Sequence, residues 1–277
     1  MMPEVIPSLR IGLVTLTVNN LDYVRNFYEK ILGLIPLHET AGRVALGTEK
    51  EVLLVLEEDR NAKRHSIREA GLFHTAFLLP TRGDLARWFL HAHQLGIHLQ
   101  GASDHLVSEA IYLADPEGNG IEIYKDRPRS DWRWHEGQVE MATIALDIAD
   151  LVKDADGQSW ETVPAATRIG HVHLQVGHIA EAEKFYADKL GFDITCHYPG
   201  ATFYSTGQYH HHLATNIWNS RNAPPREKNT TGLAQIELIA AEQDIISGIR
   251  DRTGNKDSGS LIIEDPWHNK ISIKMAF

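Results

Sequence analysis

Apolar and polar positions alternate with a period of two in "GHVHLQV", where Val172, Leu174 and Val176 interleave with His171, His173 and Gln175. That is the pattern of a strand buried on one face. The period then changes. In "IAEAEKFYADKLG", Ile179, Ala182, Phe185, Tyr186 and Leu190 recur at helical spacing, and Gly191 supplies a helix-ending glycine. Short strand-like runs follow, and "DPEGNG" forms a turn cluster ahead of "IEIY". The unit predicted is a strand, a helix and about three further strands.

The same pattern recurs along the chain. "LTVNNLDYVRNFYEKILGL" (Leu16–Leu34) aligns without a gap on "LQVGHIAEAEKFYADKLGF" (Leu174–Phe192), which puts Phe27-Tyr28 on Phe185-Tyr186 and Gly33 on Gly191. "LADPEGNGIEIYK" (Leu113–Lys125) aligns on "IEDPWHNKISIKM" (Ile263–Met275), with Asp115-Pro116 on Asp265-Pro266 and Asn119 on Asn269. Four βαβββ units are therefore expected, at Leu9–Glu58, Leu72–Lys125, Ile169–Trp218 and Gly232–Phe277. The fold class is α+β. Along the chain the expected domains are 9–125 (units one and two) and 169–277 (units three and four). Residues 126–168, polar and marked by "DWRW", read as the connection between them. A single unit has one helix-covered face and one concave face, so two units must pair to enclose a site.

Composition narrows the class. With 277 residues and 43% hydrophobic content the chain can bury a sizeable core. A net charge of -10 without a basic block argues against nucleic acid or an anionic membrane as partner. One cysteine, Cys196, excludes an intrachain disulfide and a cysteine-rich zinc site. No signal-peptide pattern or membrane-length apolar run is visible, so the expectation is a soluble cytoplasmic protein. Homo-oligomerisation stays open.

The chemistry is sought on the concave face, opposite Val172, Leu174 and Val176. His171 lies there in unit three, and the matching positions carry Leu13 in unit one, His74 in unit two and Gln235 in unit four. On the last strand, Glu122 of unit two lies between Ile121 and Ile123 and points to the concave side, where unit four has Ser272. Alone, His74 reads as a hydrogen-bonded core histidine and Glu122 as an edge carboxylate. The repeat register changes that reading, because ligand types gather at equivalent positions of units two and three. Two histidines and a carboxylate with open positions form the facial triad of non-haem Fe(II) oxygenases. His173 is expected beside this set rather than in it.

On these motifs, "FYEKILGL", "FYADKLGF" and "DPEGNGIEIY" above all, the chain resembles the vicinal oxygen chelate superfamily, and within it the catechol 2,3-dioxygenase-like extradiol proteins. The resemblance covers nearly the whole chain. It implies an Fe(II) centre, with Mn(II) or another divalent metal compatible, held by His74, Glu122 and His171. It also implies a small aromatic diol and O2 as substrates, in the degradation of aromatic compounds. His105 and Tyr112, the latter ten residues before Glu122, would orient substrate. In "QYHHHLAT", His211 would move protons. Strand alternation gives His211 the same parity as the helix-facing Leu213, so the triplet must sit at a strand start or a bulge, or His210 or His212 takes the role. One departure stands out. In the extradiol proteins the metal lies between units three and four, whereas here unit four lacks both ligands, and unit two must pair with unit three. Two alternatives remain: a glyoxalase-type metal-dependent lyase or isomerase, which needs a fourth ligand, and a non-enzymatic binding protein of the same fold. Trp132, Trp134, Trp160 and Trp218 are expected to pack the connection and core rather than to line a pocket.

Overall fold

The computed structural model describes residues 7–256 and 259–276. Unit one holds β1 (Leu9–Val18), α1 (Leu21–Phe27), β2 (Ile35–Thr40), β3 (Arg43–Gly47) and β4 (Val52–Glu58). Unit two holds β5 (Gly71–Leu78), α2 (Arg82–Gln94), β6 (Gly101–Asp104), β7 (Ser108–Ala114) and β8 (Gly120–Asp126). The connection carries β9 (Trp134–His135), β10 (Gln138–Val139), β11 (Ile144–Ala145) and α3 (Ile148–Leu151). Unit three holds β12 (Arg168–Gln175), α4 (Ile179–Glu183), β13 (Asp193–Tyr198), β14 (Ala201–Ser205) and β15 (Leu213–Asn216). Unit four holds β16 (Gly232–Ala240), α5 (Gln243–Thr253), β17 (Leu261–Glu264) and β18 (Lys270–Met275), one strand fewer than expected among the described residues.

The units do not pair in chain order. A seven-stranded sheet, β17-β18-β16-β1-β4-β3-β2, joins unit four to unit one. A nine-stranded sheet, β11-β6-β7-β8-β5-β12-β15-β14-β13, joins unit two to unit three. The junctions are antiparallel: β1 on β16 and β5 on β12. Within each unit the first strand runs parallel to the last, as in β5 with β8. Each sheet curls into a half-barrel around its concave face, and the convex faces share one apolar core with the helices, including Val14, Leu16, Phe77, Ile123, Val172, Leu174 and Leu238. The connection is more than a tether, because β11 pairs with β6 and lengthens the nine-stranded sheet.

The repeated motifs have structural reasons. The Asp of each Asp-Pro turn accepts two backbone N–H groups and the side chain of the matching Asn: Asp115 from Glu117, Asn119 and Asn119 Nδ2, and Asp265 from Trp267, Asn269 and Asn269 Nδ2. This is the aspartate-stabilised turn that such residues favour. Each Phe-Tyr pair then reaches it: Tyr28 Oη donates to Asp115 at 3.3 Å, and Tyr186 Oη donates to Asp265 at 2.8 Å. The helix of unit one is thus tied to unit two, and that of unit three to unit four, across the pairing of the sheets. The helices of units one and three, α1 and α4, widen into π turns, Tyr28–Leu32 and Lys184–Lys189, instead of running on as the α-helix that the spacing suggests. The wider turn holds both Phe185 and Tyr186 buried, and Gly191, at φ +85°, ends it.

Candidate metal centre

Register builds the centre. Across the nine-stranded sheet, His171 of β12 lies opposite Ala76 of β5, Ala76 beside Glu122 of β8, and Glu122 opposite Tyr112 of β7. Residues in one row share a face, so the small Ala76 leaves a hollow between His171 and Glu122. His74, two residues before Ala76, projects to the same side. Ladder irregularities flank these histidines: the β12–β5 register shifts between Ile169 and His171 and again between His173 and Leu174. Gly170 sits in the first, and a Cβ there would collide with the Tyr124 hydroxyl.

His74, Glu122 and His171 bring ligand atoms within 4.8 Å of one another, all buried. Glu122 Oε2 is 2.9 Å from His74 Nε2 and 3.1 Å from His171 Nε2. His74 Nε2 makes no hydrogen bond at that distance, and its buried lone pair is left without a partner. Donors about 3 Å apart are what ligand bonds of about 2.1 Å at right angles produce, so the set fits a divalent cation. Burial works to raise the Glu122 carboxyl, but the imidazoles of His171 and His74 outweigh it and hold the group well below the carboxylate range. Burial pushes the His171 imidazole down to about 4, against the pull of Glu122. A neutral imidazole and an ionised carboxylate are the forms that bind metals. His173 is also held well below the ordinary range, by burial and by His74 and His171. Its Nε2 accepts from Asn216 Nδ2 at 3.0 Å, which turns that lone pair away from the cluster.

The donors open onto a cavity of about 410 Å³ lined by, among others, Phe73, His105, Tyr112, His173, His211 and Trp218. His105 Nδ1 lies 2.7 Å from the Ala142 carbonyl, which only accepts, so the proton sits on Nδ1. With that proton on Nδ1, the lone pair at Nε2 accepts the Tyr112 hydroxyl, 2.6 Å away. Burial, with Glu122 adding, raises the Tyr112 phenol well above its usual range, and it keeps its proton.

The histidine triplet precedes its strand: β15 begins at Leu213, and Gln208 takes a left-handed φ of +53° just upstream. Alternation therefore does not extend back to the triplet, and the parity conflict raised by the sequence disappears. His211 lines the cavity with its ring centroid 4.0 Å from that of His171. His210 turns away to Asp126 at 2.8 Å, and His212 accepts from Ser205 at 2.9 Å. In the other sheet, the positions that correspond to ligands are closed by a hydrogen bond of 2.9 Å from Gln235 Nε2 to Ser272 Oγ.

Two contributions were not read from the sequence. Trp218, expected to pack, instead stands 46% exposed at the cavity, its ring edge-on to Phe73 and His173. Its Nε1 donates to the Pro199 carbonyl, which faces it outward. Trp132 and Trp160 are buried as expected. Met141, Ala142 and Thr143 of the connection line the cavity too. The pairing of β11 with β6, remote in sequence, brings them there.

Sequence and structure comparisons agree with this architecture. The profile of the Glyoxalase/Bleomycin resistance protein/Dioxygenase superfamily matches residues 10–123 and 168–273. A protein named catechol-2,3-dioxygenase from Bacillus subtilis (strain 168) is 41% identical over 268 residues, spanning 95% of this chain and 93% of that protein. Biphenyl-2,3-diol 1,2-dioxygenase 3 of Rhodococcus globerulus is 30% identical over 120 residues, 42% of this chain and 63% of its own. Among solved structures, a putative dioxygenase of Bacillus subtilis superposes with a TM-score of 0.65 at 13% identity, covering 96% of this chain and 85% of its own. Glyoxalase I of Zea mays superposes at 0.55 with 14% identity, covering 96% and 92%. These two likenesses show the fold.

Proposed function

The chain belongs to the glyoxalase/bleomycin resistance protein/dioxygenase superfamily, and from that premise we propose that it is an extradiol ring-cleaving dioxygenase acting on a small aromatic diol with O2. The carrying observation is the convergence of His74, Glu122 and His171 at one cavity with His211, Tyr112 and His105 around it. The relative at 41% identity is named for this activity on catechol. Among the described residues the donor group has three members, which favours a centre with open positions over a four-ligand glyoxalase-type site.

His74, Glu122 and His171 would hold Fe(II), or Mn(II) by the same donor chemistry. When bound, such a metal would supply Lewis-acid chemistry that lowers the pKa values of the diol hydroxyls, with open positions for O2. The chain supplies the rest. Burial, His171 and His210 hold His211 well below the ordinary histidine range, so it meets substrate as a neutral base. It takes a hydroxyl proton at its cavity-facing nitrogen, assistance worth about 10²–10⁴-fold in rate. Tyr112 and His105 form a linked pair in the cavity lining that orients the substrate. Phe73 and Trp218 supply apolar walls for the ring and narrow access for water.

The test is anaerobic loading with Fe(II) followed by catechol and air. A yellow ring-cleaved product with one O2 consumed per catechol is expected. Tight catechol binding with neither product nor O2 uptake would replace the enzyme reading with a binding protein.

A further inference from the structure

His210 and Asp126 lie outside the set that faces the cavity, yet they touch it through one hydrogen bond. His210 Nδ1 is 2.7 Å from His211 Nδ1, and His210 Nε2 is 2.8 Å from Asp126 Oδ1. Tyr209 Oη also donates to Asp126 Oδ1, at 3.2 Å, and lies 2.8 Å from Tyr124 Oη. Burial, with Asp126 adding, raises both phenols well above their usual range, so both remain donors. Donors thus converge on Asp126 from two sides. Its side chain is 14% exposed and that of His210 is fully enclosed.

The direction of each bond follows from what each group can do. An ionised carboxylate only accepts, so the proton of His210 sits on Nε2. With its one proton on Nε2, the His210 ring has a lone pair at Nδ1, and the short contact to His211 requires a donor. That donor is His211 Nδ1–H. His211 is left with an unprotonated Nε2. A His210 ring protonated at both nitrogens would reverse this order and put the His211 proton on Nε2, which the ¹⁵N spectrum of the protein distinguishes.

We infer that Asp126, acting through His210, is a positioning group that fixes the tautomer of His211 and presents its bare Nε2 to the substrate. The inference rests on the proposed role of His211 as base. The arrangement resembles in logic the buried aspartate that orients the catalytic histidine of serine proteases, where the Asp-to-Asn change keeps the geometry and lowers kcat by about 10⁴-fold through the wrong tautomer. Here the amide introduced by Asp126→Asn would donate to His210 Nε2, move that ring's proton to Nδ1 and leave His211 protonated at Nε2.

The experiment has two arms on the full-length protein. In the first, the ¹⁵N-histidine NMR spectrum of the Zn(II)-loaded protein is recorded, with the His211 signals assigned by their loss in His211→Ala. Protonation at Nδ1 and a bare Nε2 are expected, reversed in Asp126→Asn; Nε2 protonation in the unsubstituted protein would overturn the inference. In the second arm, Asp126→Asn is expected to lower kcat about 10²–10⁴-fold with KM and metal content unchanged, and Asp126→Glu to recover part of the loss. In the His211→Ala background, Asp126→Asn should have no further effect, because the two act as a unit. Additive losses, or loss of metal, would assign Asp126 a structural role instead. If no diol is turned over, the functional reading fails while the NMR arm still decides the tautomer.

Discussion

The hydroxyl of Tyr124 occupies the space into which any side chain on Gly170 would project. Tyr124 is fully buried, and Gly170 sits at the register shift immediately before His171. The absence of a side chain at residue 170 therefore places one histidine of the donor cluster and the phenol behind it together. Gly170→Ala is expected to cost about 1–3 kcal/mol of stability by overpacking, read as a lower thermal midpoint. Adding Tyr124→Phe should recover part of it. A midpoint unchanged by Gly170→Ala would show that the sheet yields at no cost.

Removal of a donor from the cluster should act on metal before it acts on anything else. His74→Ala and Glu122→Gln are expected to weaken Fe(II) binding by more than outer partners of a ligand are worth, which is about 10–100-fold. His211→Ala should retain metal while losing turnover. Metal analysis after equilibrium dialysis, run beside the turnover assay, separates the two behaviours.

Trp218 meets solvent on one side and the cavity on the other. Trp218→Ala should raise KM about tenfold with kcat nearly unchanged, the mark of a wall that binds ground state and transition state alike. Equal falls in kcat and kcat/KM would place Trp218 in the chemistry instead.

His212 does not line the cavity at the donor cluster, and Ser205 donates to its Nδ1. Burial pushes its imidazole down to about 3, from an ordinary value of 6.5, with His210 and Arg168 adding. The folded-state pKa is depressed, so the unfolded chain takes up the proton first. The stability this group contributes is present above pH 6.5 and is lost as pH falls towards about 3. Urea unfolding at pH 7 and pH 5 should show weaker folding at the lower value, by up to about 1.4 kcal/mol per pH unit for each such histidine. His212→Asn should flatten the slope by one histidine's share.

Repetition is what made the centre readable. His74, Glu122 and His171 were identifiable because each stands where unit one or unit four has Leu13, Gln235 or Ser272, and the same contrast called for units two and three to share a sheet, as they do. The triplet was harder. Alternation is a property of strands, and His211 lies ahead of one, so the parity of Leu213 said nothing about it. Trp218 and the 141–143 segment were illegible for another reason: their places depend on long-range pairing, of β11 with β6 and of Trp218 with Pro199, which leaves no periodic trace in the residues themselves. The Phe-Tyr and Asp-Pro motifs were visible as repeats, but not that Tyr28 and Asp115 hydrogen-bond to each other.

Because β1 pairs with β16, Leu9 must wait for Ala240 before its ladder is complete. A chain made from its N-terminal end has the strands of the nine-stranded sheet in hand by Asn216, while three of the other sheet's seven strands are still unmade. Contacts so far apart in sequence form slowly, and until β16 arrives β1 is an apolar strand with an open edge, the condition that invites pairing with the wrong neighbour. The half of the molecule that carries the candidate site can be assembled first; the other half closes last and sets the pace at which the whole becomes safe from aggregation.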